Sequence, residues 1–240
     1  MSVVLITGAA AGLGEGIARA FAGQGAKLVL GDINAAPLEA LAAELGADCV
    51  TMVGDVSDPR YAKALVELAV DRFGSLDIAI NNAGIVHAPA FISNIPEAEA
   101  RRVIEVDLLG VLWALQAQIP AMKSGSIINI ASVAGLSGAP TLAAYAAAKH
   151  GVMGLTRTAA LENARRGIRV NAVCPSFART AMAGEARYSQ SHEAEMTRGI
   201  PMRRLASVAE VVRAVMFLAD PANSFMTGQA LGVDGGMGAM

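Results

Sequence analysis

Tyr145-Ala-Ala-Ala-Lys149 sets a phenol and an ammonium one helical turn apart, and Ser132 precedes the phenol by thirteen residues. A phenol has a reference pKa of roughly 10, so it exchanges protons at neutral pH only when its anion is stabilised. Residues four apart share one helix face, which puts Lys149 in position to do this. At about 5 Å and an effective dielectric of about 20, a unit charge contributes roughly 3 kcal/mol, enough to move a titration by about 2 units. The chemistry that fits is proton exchange at an alcohol or carbonyl oxygen, with the Ser132 hydroxyl as a second polar group. By itself the Tyr-x-x-x-Lys spacing also suits an aromatic ring packed on a lysine stem, so the rest of the chain must decide.

Such a site needs a scaffold, and the N-terminal residues supply its first part. Ser2-Val3-Val4-Leu5-Ile6-Thr7-Gly8 is a β-branched apolar run ending in a turn, as a buried strand does. The turn Gly8-Ala-Ala-Ala-Gly12-Leu13-Gly14 leads into a helical stretch, Glu15 to Gln24, and a second strand, Lys27 to Gly31. Glycines between a strand and a helix let the backbone approach a pyrophosphate, which the helix N-terminus then receives. Asp32 closes the second strand about twenty residues past the turn, where a carboxylate accepts hydrogen bonds from an adenosine ribose. It would repel a 2′-phosphate, and no Lys or Arg stands at Ala9, Ala10, Ala11, Ile33 or Asn34 to neutralise one. The expected cofactor is therefore NAD rather than NADP. The competing reading makes Asp32 a cap for the helix beginning near Ala35.

These features resemble the classical short-chain dehydrogenase/reductase family, and the resemblance runs from Val3 to Gly236. It is carried, in order, by Thr7-Gly8-Ala-Ala-Ala-Gly12-Leu13-Gly14, Asp55-Val56, Asn81-Asn82-Ala83-Gly84, Ser132, Tyr145 with Lys149, and Asn171-Ala-Val-Cys-Pro175. The resemblance implies that Asp55 meets the adenine amino group with Val56 at the ring, and that Asn82, Ala83 and Gly84 floor the adenosine site. It implies Ser132 as the group orienting the substrate oxygen, Tyr145 as general acid/base, and Lys149 as both a charge near the phenol and a ligand of the nicotinamide ribose. Pro175, Ala178 and Thr180 are implied around the nicotinamide, and Ile33 beside the adenosine.

Three departures from the family pattern stand out. Val106-Asp107-Leu108-Leu109-Gly110 carries Asp107 where the family usually has an asparagine that helps link the lysine to water through a break in the helix. Asp is also a poor helix-interior residue and can keep that break. An ionised Asp107 cannot donate a hydrogen bond and offsets part of the Lys149 field, so oxidation is expected to favour alkaline pH. The other reading makes Asp107 protonated or solvated, and purely structural. In Pro175-Ser176-Phe177-Ala178, a serine replaces the usual glycine and an alanine replaces a branched residue.

The composition suits one α/β domain over residues 1–240: 54% hydrophobic but only 4% aromatic, a core of Ala, Val, Leu and Ile. Strand-like runs Val3–Thr7, Lys27–Gly31, Cys49–Val53, Leu76–Asn81, Ser126–Ala131 and Arg169–Cys174 alternate with helices, as parallel strands covered on both faces do. With the strand that the resemblance implies near Ala230–Val233, the expected fold is a Rossmann-type doubly wound parallel sheet of about seven strands. Pro96 opens one long helix through Gly110 toward Met122. The resemblance further implies a homotetramer built partly on this helix and that of Tyr145, and a substrate lid over 181–203. That region includes Glu185, Arg187, Tyr188, His192, Glu193 and Arg198.

A net charge of −2 leaves no basic patch for nucleic acid. No uninterrupted apolar run of about 20 residues suggests a membrane span. Cys49 and Cys174 read as buried hydrophobes and not as metal ligands. His87 lies just beyond the Asn81–Gly84 segment and could border the pocket, whereas His150 reads as a surface residue; neither has a partner that suggests a metal. No signal peptide precedes the first strand, and a cytoplasmic setting is expected. The expected activity is NAD-dependent interconversion of a secondary alcohol and a ketone. A 3-oxoacyl-thioester reductase and a non-catalytic dinucleotide-binding scaffold are the alternatives.

Overall fold

The computed structural model describes residues 1–178, 193 and 196–239. Its centre is a parallel seven-stranded sheet in the order β3-β2-β1-β4-β5-β6-β7. The strands are β1 (Val3–Thr7), β2 (Lys27–Asp32), β3 (Cys49–Val53), β4 (Ile78–Asn81), β5 (Gly125–Ile130), β6 (Ile168–Pro175) and β7 (Ala230–Val233). Strand side chains alternate between faces, so one apolar run feeds two cores. From β1, Val3 and Leu5 join α3 (Pro59–Phe73), α5 (Gly110–Ala121) and α6 (Ala143–Asn163). Val4 and Ile6 face α1 (Gly12–Ala22), α2 (Ala35–Leu45) and α7 (Val208–Ala219).

Parallel pairing brings Thr7 level with Gly31 on one side of β1, and Ile6 level with Ile80 on the other. The chain winds outward in opposite directions from β1 and β4. The loops after these two strands therefore diverge and leave a crevice at their C-terminal ends, where ligands bind in open α/β sheets. Strand β4 begins at Ile78, later than the apolar run from Leu76, and the Asp77 carboxylate before it accepts from the Val3 N–H at 2.8 Å.

The long helix expected from Pro96 toward Met122 carries a break at Asp107, where one was expected. Helix α4 covers Glu97–Ile104, a π-helical turn follows over Glu105–Leu109, and α5 resumes at Gly110. Asp107 sits in that turn, fully buried. The combined run Glu97–Ala121 is long and apolar enough by length and composition to cross a membrane. Here it packs on the sheet and on α3 and α6. Helix α7 starts with a reciprocal cap, in which Ser207 accepts from the Glu210 N–H while Glu210 accepts from the Ser207 N–H.

Candidate active site

The crevice is built around the turn after β1. Gly8 and Gly12 hold φ of 65° and 61°, the left-handed region that side chains rarely adopt. A Cβ on Gly14 would stand 2.0 Å from the Gly8 carbonyl oxygen. No side chain caps the N-terminus of α1 at Ala11, so Leu13, Gly14 and their neighbours carry helix N–H groups free for an anion. Asn82 clamps the turn from β4: its Nδ2 donates to the carbonyls of Thr7 at 3.0 Å and Gly8 at 2.9 Å. Thr7 Oγ1 accepts in return from the N–H groups of Asn82 and Ala83, at 3.1 and 3.2 Å. Turn and floor are thus one hydrogen-bonded unit.

Asp32 does two jobs at the end of β2. Its Oδ2 accepts from the Ala10 N–H at 2.9 Å, and its Oδ1 accepts from the Asn34 N–H at 2.9 Å. It steadies the glycine turn and the entry to α2 together and still has acceptor capacity for ribose hydroxyls. The side chain at the N-cap itself, Asn34, makes no capping bond. Ile33 beside it is 59% exposed, an apolar ledge at the rim.

Asp55 carries a partner that the sequence did not announce. Arg102 of α4 reaches across 47 residues to donate to Asp55 Oδ2 at 2.6 Å and to Ser57 Oγ at 2.9 Å, while Ser57 donates from N–H and hydroxyl to Asp55 Oδ1. Burial works against the carboxylate, but the Ser57 and Arg102 donors outweigh it and hold Asp55 below the usual aspartate range. Val56, half-buried, follows it into the crevice. No local pattern links Arg102 to Asp55.

The reactive groups lie beyond β5. Ser132 follows that strand, with its hydroxyl accepting from the Ala134 N–H at 3.1 Å and lying 3.5 Å from the Pro175 carbonyl. Tyr145 and Lys149 stand one turn apart in α6, the ammonium 5.5 Å from the phenol ring centroid. Lys149 Nζ donates to the Ile130 carbonyl at 3.0 Å and lies 3.1 Å from Asp107 Oδ2. Asp107 Oδ1 accepts from the Ile85 N–H at 2.7 Å. Burial pushes the Asp107 carboxyl up, against the pull of Lys149 and the Ile85 N–H. Burial also works against the Lys149 ammonium, but Asp107 and Tyr145 outweigh it and raise its pKa. Gly84 completes the enclosure, since a Cβ there would meet Asp107 Oδ2 at 3.0 Å and Lys149 Nζ at 3.4 Å.

Beneath the crevice runs a buried amide chain absent from the sequence reading. Asn81 Nδ2 donates to Asn129 Oδ1 at 2.9 Å, Gln118 Nε2 donates to Asn81 Oδ1 at 2.8 Å, and Asn129 Nδ2 donates to Thr156 Oγ1 at 2.9 Å. It ties β4, β5, α5 and α6 together behind the reactive groups. Polar residues within apolar strands and helices were its only signal.

Ala178 forms a parallel bridge with Ala206. Thr180, with Glu185, Arg187, Tyr188 and His192 of the expected lid, lies outside the described residues. His87 is buried with Nδ1 2.8 Å from the Ala88 carbonyl, and His150 is exposed. Cys174 is buried, but Cys49 is only half-buried because β3 is an edge strand, which corrects the expectation that both are buried. No group of three or more His, Cys, Asp or Glu that could hold a metal occurs among the described residues.

Comparison with known proteins matches residues 8–238 to the family model described as enoyl-(acyl carrier protein) reductase. The chain is 40% identical over 239 residues to cyclohexanol dehydrogenase of Acinetobacter sp. strain SE19, covering 97% of this chain and 93% of that protein. It is 42% identical to trans-4-hydroxycyclohexanecarboxylate dehydrogenase of Sinomonas cyclohexanicum, covering 98% and 92%. The crystal structure of 3-ketoacyl-(acyl-carrier-protein) reductase from Brucella melitensis complexed with NADH superposes with a TM-score of 0.92 at 36% identity, covering 98% of each chain.

Proposed function

The chain belongs to the classical short-chain dehydrogenase/reductase family, and from that premise we propose that it is an NAD-dependent oxidoreductase interconverting a secondary alcohol and a ketone. The observation that carries this reading is a buried, doubly anchored Lys149 ammonium 5.5 Å from the Tyr145 ring, beside a crevice floored by backbone. The cradle fits a dinucleotide: the left-handed φ of Gly8 and Gly12 and the close approach of Gly14 to the Gly8 carbonyl make a tight turn that only glycines allow, and it opens into the uncapped α1 N-terminus, which suits a pyrophosphate. Asp32 suits two free ribose hydroxyls and disfavours a 2′-phosphate.

Bound NAD supplies the two-electron acceptor at the carbinol carbon. The protein's part is position and proton handling. Tyr145 takes the hydroxyl proton of the alcohol, Lys149 supplies positive charge beside the phenolate, and Ser132 donates to the substrate oxygen as its charge changes. In the reverse direction Tyr145 returns the proton to the carbonyl oxygen. We assign Asp55, Val56, Asn82, Ala83 and Gly84 to the adenosine side, and Pro175, Ala178 and Thr180 to the nicotinamide side.

The large apolar side chains Phe91, Ile92, Leu136 and Phe177 are exposed on the loops after β4, β5 and β6, around the crevice. This rim favours an uncharged, apolar substrate, and the similarity to cyclohexanol dehydrogenase directs the choice to alicyclic alcohols. A 3-oxoacyl thioester is the second reading, favoured by the similarity to the ketoacyl reductase structure. Turnover of cyclohexanol and acetoacetyl thioesters should be compared in wild type and Tyr145→Phe. Loss of turnover in the variant supports the assignment. Retained turnover removes it.

We further assign the protein as a cytoplasmic homotetramer. Two free cysteines suit a reducing compartment, and Leu161 of α6 is 84% exposed on a helix that a neighbouring copy would cover. Light scattering should give four protomers of 24.5 kDa. A monomer at micromolar concentration would contradict the assembly, and recovery in a membrane or periplasmic fraction would contradict the location.

A further inference from the structure

Tyr61, in the first turn of α3, has no part in the chemistry proposed above, yet its side chain lies against both carboxylate-bearing strand ends. Gly31 stands immediately before Asp32, and Gly54 immediately before Asp55. A Cβ on Gly54 would meet Tyr61 Cδ2 at 2.3 Å and Cε2 at 2.4 Å, and a Cβ on Gly31 would meet the Tyr61 hydroxyl oxygen at 2.6 Å. Resting on the reading that Asp32 and Asp55 serve the adenosine side, we propose that Tyr61 is a positioning residue for that half of the cofactor: its side chain fits into the two glycines and fixes the spacing of the carboxylates that follow them.

Neither glycine is required by its backbone. Gly31 lies within β2, and neither it nor Gly54 holds a left-handed φ, so the main chain would accept alanine at both positions. At Gly54 the nearest obstacles to a side chain are all ring atoms of Tyr61. At Gly31 the others are methyls of Leu65, one turn further along α3. Packing alone asks only for an apolar side chain at 61, and Tyr61 does more. Its hydroxyl donates to the Met52 carbonyl at 2.7 Å, and Met52 is level with Gly31 in the pairing of β2 with β3. The Gly54 N–H donates to the Asp32 carbonyl at 2.9 Å, which joins the two strand ends directly.

The start of α3 holds the ring in place. The Asp58 N–H donates to the Asp55 carbonyl and the Tyr61 N–H to the Asp58 carbonyl, both at 3.0 Å, while the Asp58 side chain caps the helix through the Arg60 N–H. The chain leaving Asp55 thus doubles back to set Tyr61 against Gly54. Tyr61 also lines one small cavity together with Val56 and Ala83 of the adenosine side. Burial, with the Asp32 and Asp55 carboxylates nearby, pushes its hydroxyl well up, so it stays a neutral donor.

ADP-ribose carries the adenosine and pyrophosphate without the nicotinamide, and calorimetry separates its affinity from the fraction of competent protein. A methyl at 54 must displace the ring, and loss of the ring frees Asp55. Gly54→Ala and Tyr61→Val should each weaken ADP-ribose by about tenfold, the scale of one lost hydrogen bond to a charged group. In the double variant the methyl enters space that the ring has left, so the loss should stay well short of the roughly hundredfold that independent effects would give. Tyr61→Phe keeps the ring and should bind within about threefold of wild type. KM for NAD should follow the same pattern, while kcat at saturating NAD changes far less.

Losses that multiply in the double variant, or unchanged affinity in either single variant, would overturn the role of Tyr61. So would a lower competent fraction at wild-type affinity, which is the mark of a purely structural residue. Should Gly54→Ala not fold, a folded, ADP-ribose-binding double variant supports the fit of ring to glycine, and an unfolded one overturns it. Tyr61→Leu takes the place of Tyr61→Val if the latter does not fold. Absence of ADP-ribose binding by wild type would overturn the cofactor reading as well, which keeps the two failures apart.

Discussion

The amide of Asn82 and the carbonyl of Gly8 lie 2.9 Å apart across 74 residues of chain, and the same amide holds the Thr7 carbonyl. The glycine turn is therefore pinned from β4 as well as shaped by its own glycines. Asn82→Ala leaves two turn carbonyls without their donor. We expect NADH affinity to fall by about tenfold, roughly 1.4 kcal/mol, with the fold retained. Fluorescence titration checks this, and an unchanged Kd would show that the glycines suffice.

Asp32 supports Ala10 while facing the ribose position, so its removal should act twice. Asp32→Ala is expected to weaken NADH by about tenfold or more and to leave NADPH unchanged or improved, since a repulsive carboxylate is gone. Parallel titrations with both nucleotides decide the point. An unaltered NADH:NADPH ratio would restrict Asp32 to the turn.

The amide chain under the site makes a stability prediction. Asn129→Leu leaves Asn81 Nδ2 and Thr156 Oγ1 short of partners in a buried layer. The cost should be about 2 kcal/mol. Urea denaturation measures it, and a change below about 0.5 kcal/mol would mean that the layer repacks.

Burial pushes both thiols up, Cys49 and Cys174 each to about 11. The thiolate is the reactive form, so at pH 8 native protein should react with a disulfide reagent far more slowly than free cysteine. Reactivity should rise as pH climbs toward 11, and both thiols should appear promptly in denaturant. Rapid modification of native protein at pH 8 would contradict this.

Much of the site was legible because its groups are spaced by local geometry. Tyr145 and Lys149 share a helix face at i and i+4, and the Gly8–Gly14 turn must follow a strand and open a helix. Asp107 was legible as a misfit in an apolar helix, and the π-helical turn is where that misfit is absorbed. Arg102 was not legible, because its partner Asp55 is 47 residues away and a surface helix of mixed charge carries no mark of which arginine turns inward. The Asn81–Gln118–Asn129 chain was hidden for a related reason. Each amide taken singly is only a polar residue in an apolar element.

By itself the sequence determined the alternation of strand and helix, the glycine turn, the carboxylate at the end of β2 and the pairing of phenol with lysine. Periodicity and short-range stereochemistry act within a few residues, so they can be read in order along the chain. Only the tertiary structure decided that Asp32 holds Ala10, that Arg102 holds Asp55, and that Asp107 reaches Lys149 beneath Gly84. Those pairings depend on parallel register and helix packing, which bring together groups that no local spacing relates, and burial then sets the strength of their charges.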